Sequence, residues 1–263
     1  MEPLRPKPDT EDILEFPVSY LTQDACLKNI LQRIHEGKFG YTVVCANPHS
    51  LEVARRNRLF QEALLTADLV IPDGIGVVLA SRVLGGRIRE RVTGSDIFLG
   101  LNQALNREGG RSVFFLGSTE ETLAKIQRRF AADFTKVWVA GTYSPPFRAE
   151  FSEDENRDMV EAVNEARPDV LWVGMTAPKQ EKWIFRNRGR LQVGASAAVG
   201  AAFDFYAGKV QRSAPAFQRL GLEWLPRLLR EPRRLWRRNL LSNTSFMARV
   251  LAQRLHSVRL RQG

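Results

Sequence analysis

Residues 113–141 read VFFLGSTEETLAKIQRRFAADFTKVWVAG, and this stretch decides the fold class. An apolar run over 113–117 ends on Gly117, a segment with helical spacing covers 119–134, and a second apolar run over 137–141 ends on Gly141. Strand, helix and strand in immediate succession form a βαβ unit. The same signals recur on either side. Residues 41–46 (YTVVCA), 69–72 (LVIP), 170–174 (VLWVG) and 193–199 are further short apolar runs closed by Gly, Pro or Asn, and 51–65 carries helical spacing. The runs are continuous rather than alternating, as in parallel strands buried on both faces. The expected fold is therefore α/β, a parallel sheet with helices on both faces. Ligands of such sheets collect at the carboxyl ends of the strands.

Composition narrows the class further. The chain has 263 residues, of which 44% are apolar and 26% charged, enough for a sizeable core in one large domain or a domain with an appendage. Cys26 and Cys45 stand far apart without CxxC spacing, which argues against a disulfide framework or a zinc site and fits a reducing cytosol. The first dozen residues are charged and Pro-rich without the apolar run of a secretory signal. No apolar run approaches the ~20 residues that span a bilayer.

The net charge of +10 is localised. From Arg212 onward there are twelve arginines, no lysine and two acids, so the whole excess lies there; the preceding residues hold 27 basic and 27 acidic side chains. A neutral body carries a basic tail, and such a tail fits an anionic surface. The boundary falls near residue 208: residues 1–208 form the α/β body, with 1–16 expected to be flexible, and 209–263 the appendage. Within the latter, a long helix is expected over about 232–260, with Leu235, Trp236, Leu240, Phe246, Met247, Val250, Leu251 and Leu255 among the arginines. That amphipathic, aromatic and basic pattern is typical of helices lying in a bilayer interface. The body is expected to fold without it.

Three turns at strand ends hold the candidate chemistry. After 113–117, Gly117 and Ser118 open a helix with capping-box spacing to Glu121, which suits either an ordinary cap or a phosphate on free N–H groups. After 170–174, Pro178 suits a first helical turn, placing Lys179 and Gln180 where a diphosphate or ribose is held. After 69–72, Asp73 precedes Gly74 and Gly76 on a tight turn that a ligand can approach closely. There a partly desolvated carboxylate is a competent proton acceptor, while the alternative is an Asp capping the next helix. Arg91 and Asp96, in RVTGSD, read as a salt-bridged loop or as substrate contacts. There is no GxGxxG after the first strand, no P-loop, no GxSxG elbow and no Asp-x-Asp. His35, His49 and His256 lie in different segments, so no metal site is expected.

Five ordered segments, PDGIG, RVTGSD, VGMTAPKQEKW, VGAAFDFYAGKVQRSAP and LGLEWLPRLLREPRR, resemble the WecG/TagA/CpsF family of bacterial glycosyltransferases over about residues 17–238. The resemblance implies a Rossmann-like domain with a C-terminal membrane-associating appendage. It implies inverting transfer, without metal or other cofactor, from a UDP-sugar to a polyprenyl-diphosphate-linked sugar in cell-surface polysaccharide biosynthesis. Asp73 falls on the family's proposed general base, with Gly74 letting the acceptor come close. Arg91 and Gln180 fall on substrate-contacting positions, and Asn47 in the first strand-end motif. Tail arginines, among them Arg227, Arg230, Arg233 and Arg234, would then carry the diphosphate charge or sit on anionic lipid. The enzyme would be peripheral on the cytoplasmic face of the membrane. Cys45 stands where the family usually has Thr, and Thr176 where Gly is common, so the donor is left among N-acetylmannosamine, N-acetylmannosaminuronate and glucose. The rival readings are a nucleotide-sugar sensor without turnover and a nucleic-acid-binding protein; the tail's Trp and Leu residues favour a bilayer over nucleic acid. Pairing of the tail with a second subunit is the alternative to lipid.

Overall fold

The structure is a computed structural model in which residues 7–210 and 242–262 are described. Six parallel strands form the central sheet: β3 (Tyr41–Ala46), β4 (Leu69–Pro72), β5 (Arg111–Gly117), β6 (Val137–Tyr143), β7 (Val170–Gly174) and β8 (Ala195–Ala198), in the order β4-β3-β8-β7-β5-β6. Side chains alternate across the sheet, so each strand feeds two cores. Val44, Val70, Phe114, Leu116, Leu171 and Val173 join one; Val43, Ile71, Val113, Phe115, Val170 and Trp172 join the other. The helices are α1 (Gln23–His35), α2 (Pro48–Ala54), α3 (Arg58–Thr66), α4 (Ile75–Leu84), α5 (Gly94–Glu108), α6 (Glu120–Asp133), α7 (Glu153–Ala166), α8 (Lys179–Asn187), α9 (Ala202–Tyr206) and α10 (Ser242–Gln262). Both apolar layers are thus covered, which makes the domain Rossmann-like as expected.

Four local features depart from the sequence-based expectation. Residues 51–65 are not one helix: Asn57 accepts a hydrogen bond from the Phe60 N–H and starts α3 afresh after α2 has ended. Ser118 does not cap α6. Its φ is +58°, and Thr119 is the cap, accepting from the Thr122 N–H at 3.3 Å. The segment expected to be flexible contains most of an antiparallel hairpin, β1 (Thr10–Ile13) with β2 (Phe16–Ser19), whose Ile13, Phe16 and Val18 are buried in the core.

The fourth departure concerns the tail. Helix α10 packs against α2 and α4, and its Phe246 and Val250 are fully buried in the core, while Leu251 and Leu255 are exposed. Glu52 on α2, itself buried, accepts a hydrogen bond from Ser245 Oγ at 3.1 Å and pairs with Arg249 Nε at 3.2 Å. His49 Nδ1 lies 2.9 Å from Ser242 Oγ. Helix α10, inside the expected appendage, thus packs on the α/β body through Phe246 and Val250. Residues 232–241, the first part of the expected long helix, lie outside the described residues.

Candidate active site

The strand order changes sense between β3 and β8. The chain leaves β3 outward to β4, and it reaches β8 from β7 on the other side. A crevice forms at the carboxyl ends where that happens. Asn47 ends β3 and caps α2, its side-chain oxygen accepting from Ser50 N–H at 2.9 Å and its own N–H donating to Ser50 Oγ at 2.8 Å. Ala46 pairs in register with Pro72, so Asn47 and Asp73 leave adjacent strands side by side. The Asp73 N–H donates to Ala46 O at 2.8 Å, tying this turn to the β3 end. Helix α4 starts from Gly74, whose φ of +121° is open to glycine and strained for other residues, and no side chain caps it. Gly74 occupies the cap position of α4, with Asp73 immediately before it at the end of β4.

Two further connections complete the crevice. The Val92 N–H donates to Pro72 O at 3.1 Å, which brings the neighbouring Arg91 to the end of β4. Gly94 opens α5 against β3 and β8: a methyl group there would lie 3.2 Å from the Val199 backbone and 3.3 Å from Cys45 Sγ. Gly94→Ala should cost roughly 1–3 kcal/mol by forcing α5 away from the sheet. The measurement is a denaturant titration of the variant beside the parent. Cys45 Sγ donates weakly to Ala198 O at 3.5 Å. Burial pushes the Cys45 thiol well above its ordinary range, and the Asp73, Glu181 and Asp96 carboxylates add to that. Three acids thus share the surroundings of one partly buried cysteine.

Glu181 was not anticipated. It lies in the first turn of α8, 2% exposed, with Oε1 accepting from Gln180 Nε2 at 2.8 Å. Its Oε2 is buried with no hydrogen-bond partner among the described residues. Desolvation raises its pKa to about 7, against the opposing pull of the Gln180 amide and its own N–H. Because an unfolded Glu titrates near its ordinary 4.5, the native state binds more protons between that value and about 7. Its contribution is thus fully present below pH ~4.5 and lost as pH rises to about 7, on the order of 3 kcal/mol across the window. Glu181→Gln should abolish that decline, as read from urea unfolding at a series of pH values.

The chain matches, over residues 11–260, the profile of the glycosyl transferase WecG/TagA/CpsF family. The chain belongs to that family. It is 32% identical over 81% of its length to an N-acetylglucosaminyldiphosphoundecaprenol N-acetyl-beta-D-mannosaminyltransferase of Bacillus spizizenii, covering 79% of that protein. It is 28% identical to the protein of the same name in Bacillus subtilis, over 93% of this chain and 92% of the relative. A Staphylococcus aureus protein of that name is 27% identical over 79% of this chain and 78% of the relative.

Within this glycosyltransferase fold the expected site residues separate into two groups. Cys45, Asn47, Asp73, Gly74 and Arg91 meet at the β3–β4 end, and Gln180 joins them from α8 by accepting the Gly200 N–H at 3.1 Å just beyond β8. Asp96 is near but bonds locally, forming a capping box with Thr93 in which it accepts the Thr93 N–H at 3.0 Å. Gly117 and Ser118 end β5, three strands from β3, or ~14 Å at ordinary strand spacing. Lys179 is engaged with the loop after β6, donating to Arg148 O at 2.6 Å and lying 3.7 Å from the centre of the Phe151 ring. Arg227, Arg230, Arg233 and Arg234 lie outside the described residues. No group of three or more His, Cys, Asp or Glu among the described residues could hold a metal ion, and no described helix is long and apolar enough to cross a membrane. The signal for Glu181 was its spacing: three residues before buried Ile184, it shares that apolar helix face.

Proposed function

We propose that this glycosyltransferase moves a sugar from a UDP-sugar to a sugar linked to polyprenyl diphosphate, with inversion at the anomeric carbon. The observation that carries the reading is the Asp73 turn: a carboxylate at the carboxyl end of β4, next to Asn47 at the end of β3 and just ahead of a helix that starts on glycine. The relatives' names support a GlcNAc-diphosphoundecaprenol acceptor and make N-acetylmannosamine the first donor to test, before N-acetylmannosaminuronate and glucose. Asp73 takes the proton of the acceptor hydroxyl, whose oxygen attacks the anomeric carbon from the face opposite UDP. The bond from that carbon to the diphosphate oxygen breaks, and its electron pair leaves with UDP.

Arginines replace a metal in this scheme. Arg227, Arg230, Arg233 and Arg234 neutralise the departing diphosphate, since their planar forks match its oxygens. The described residues flanking that segment support the assignment. Lys209 reaches Thr119 Oγ1 at 3.4 Å, at the β5 end, and Ser242 meets His49 in the first turn of α2, at the β3 end. A peripheral position on the cytoplasmic membrane face brings the crevice to its lipid-linked acceptor; exposed Leu251 and Leu255 on α10 support it.

The test is UDP release in EDTA with a panel of UDP-sugars, with and without short-chain lipid-diphosphate-GlcNAc or lipid-diphosphate-glucose. Release that requires one acceptor is expected. UDP-sugar binding without release under any pairing would instead make the protein a sensor.

A further inference from the structure

Gln180 and Glu181 are neighbours in sequence, both almost completely buried, and their side chains bond to each other. Such a pair commits two polar groups to an internal contact, so its purpose lies in what it leaves free. An amide side chain has one carbonyl oxygen and two N–H donors. In Gln180 the oxygen is taken by the Gly200 N–H, at 3.1 Å, and one amide hydrogen by Glu181 Oε1, at 2.8 Å. A backbone N–H can only donate, which determines which end of the amide faces Gly200. Glu181 then holds the other end. A carboxyl group offers an acceptor oxygen whether or not it is protonated, so the arrangement survives across neutral pH. The side chain cannot flip, and it keeps one N–H donor whose position is fixed, beside the second lone pair of its oxygen.

The surroundings say what that donor meets. Gly200 follows β8 at the crevice and has φ of +51°. A methyl group on it would come within 3.5 Å of Gln180 Nε2, so the amide and this turn are packed together. Helix α8 has no side-chain cap on its N-terminus. The Lys179 N–H is taken by Thr176 O, at 2.9 Å, and the Glu181 N–H by its own carboxylate, so the donors left at this turn for a negatively charged ligand oxygen are those of Gln180.

We propose that Glu181 is a positioning residue that locks the Gln180 amide as a dedicated hydrogen-bond donor to an oxygen of the sugar nucleotide. The inference rests on the UDP-sugar reading above and deepens it. Glu181 acts through Gln180 and touches no reacting atom.

Calorimetric titration of UDP-N-acetylmannosamine and UDP-glucose into the full chain, with UDP release measured in parallel, tests this. Glu181→Gln retains an acceptor oxygen and should bind within about threefold of the parent. Glu181→Leu should weaken binding and raise KM for the sugar nucleotide about tenfold, the scale of one misplaced hydrogen bond, with kcat little changed. Gln180→Ala combined with Glu181→Leu should be no worse than Gln180→Ala alone, because the two residues act as a unit. Additive losses, or a Glu181→Leu variant that binds normally, would overturn the proposal.

If Glu181→Leu does not fold, the exchange Gln180→Glu with Glu181→Gln decides. It preserves both internal hydrogen bonds but presents an acceptor in place of the donor. Its melting temperature should stay near the parent's while affinity falls tenfold or more, and unchanged affinity overturns the idea. A parent that binds UDP-sugar without releasing UDP sinks the transferase reading alone. A parent that turns over while the exchange variant binds as tightly sinks this inference alone, and a parent that binds none of the UDP-sugars of the panel, UDP-N-acetylmannosaminuronate included, sinks both.

Discussion

Asp73→Asn should reduce sugar transfer by about 10²- to 10⁴-fold, the usual contribution of a positioned general base, with UDP-sugar affinity retained. Asparagine has the shape of aspartate and preserves the backbone of the turn, so the variant isolates proton acceptance from geometry. The Asp73 N–H is held by Ala46 O and Ile71 O, and neither bond involves the side chain. Gly74, the cap residue of α4, is left in place by the substitution, and an asparagine oxygen can accept the same hydrogen bonds as the aspartate it replaces. A loss in kcat with unchanged calorimetric affinity is therefore the expected result. Turnover like the parent's would show that another group accepts the proton, and the assignment of Asp73 would go. Asp73→Ala should lose as much and lend itself to the same two measurements.

Phe246→Ala should destabilise the protein by about 3–5 kcal/mol, as for other fully buried phenylalanines. For a chain of this size that is a fall in melting temperature of roughly 6–20 °C. Phe246 lies on α10, which packs against α2 and α4, and is 0% exposed. Deletion of α10 altogether should be worse. It would remove Phe246 and Val250 from the core and strip Glu52, 6% exposed, of Arg249 and Ser245. A buried carboxylate deprived of its cation costs several kcal/mol beyond the lost packing. The damage would also reach the crevice, since α2 begins after Asn47 and α4 after Gly74. A thermal melt of Phe246→Ala matching the parent's would mean that α10 binds too loosely to support those helices.

The tail shows why some elements can be read from sequence and others cannot. Strands β3, β4, β5 and β7 were legible because they are buried on both faces and carry apolar residues at almost every position, and β6, an edge strand with Trp138 exposed, was legible from its apolar run alone. Helix α10 was legible only as amphipathic. Phe246, Met247 and Val250 form a face that lipid or a protein surface would cover equally well, and local pattern does not distinguish them. The deciding contacts are long-range: Arg249 with Glu52, and His49 with Ser242, join residues 193 or more positions apart. The cap of α6 shows the same limit at short range. Ser118 and Thr119 are adjacent hydroxyl residues, and the left-handed backbone of Ser118 after Gly117 leaves Thr119 as the cap.

By itself the sequence determined the α/β class, the strand ends that carry chemistry, the family and the placing of Asp73 on a glycine turn. Each of these is local, written in apolar runs, turn residues and motif spacing. Tertiary structure decided the rest. It set Asp73 and Asn47 on adjacent strand ends, left Gly117 and Ser118 strands away from the crevice, and buried Glu181 against the Gln180 amide. It also seated α10 on the two helices that leave the crevice. Those outcomes depend on which strands lie side by side and which surfaces close over them. Burial strengthens or removes an interaction only once distant segments have excluded the water.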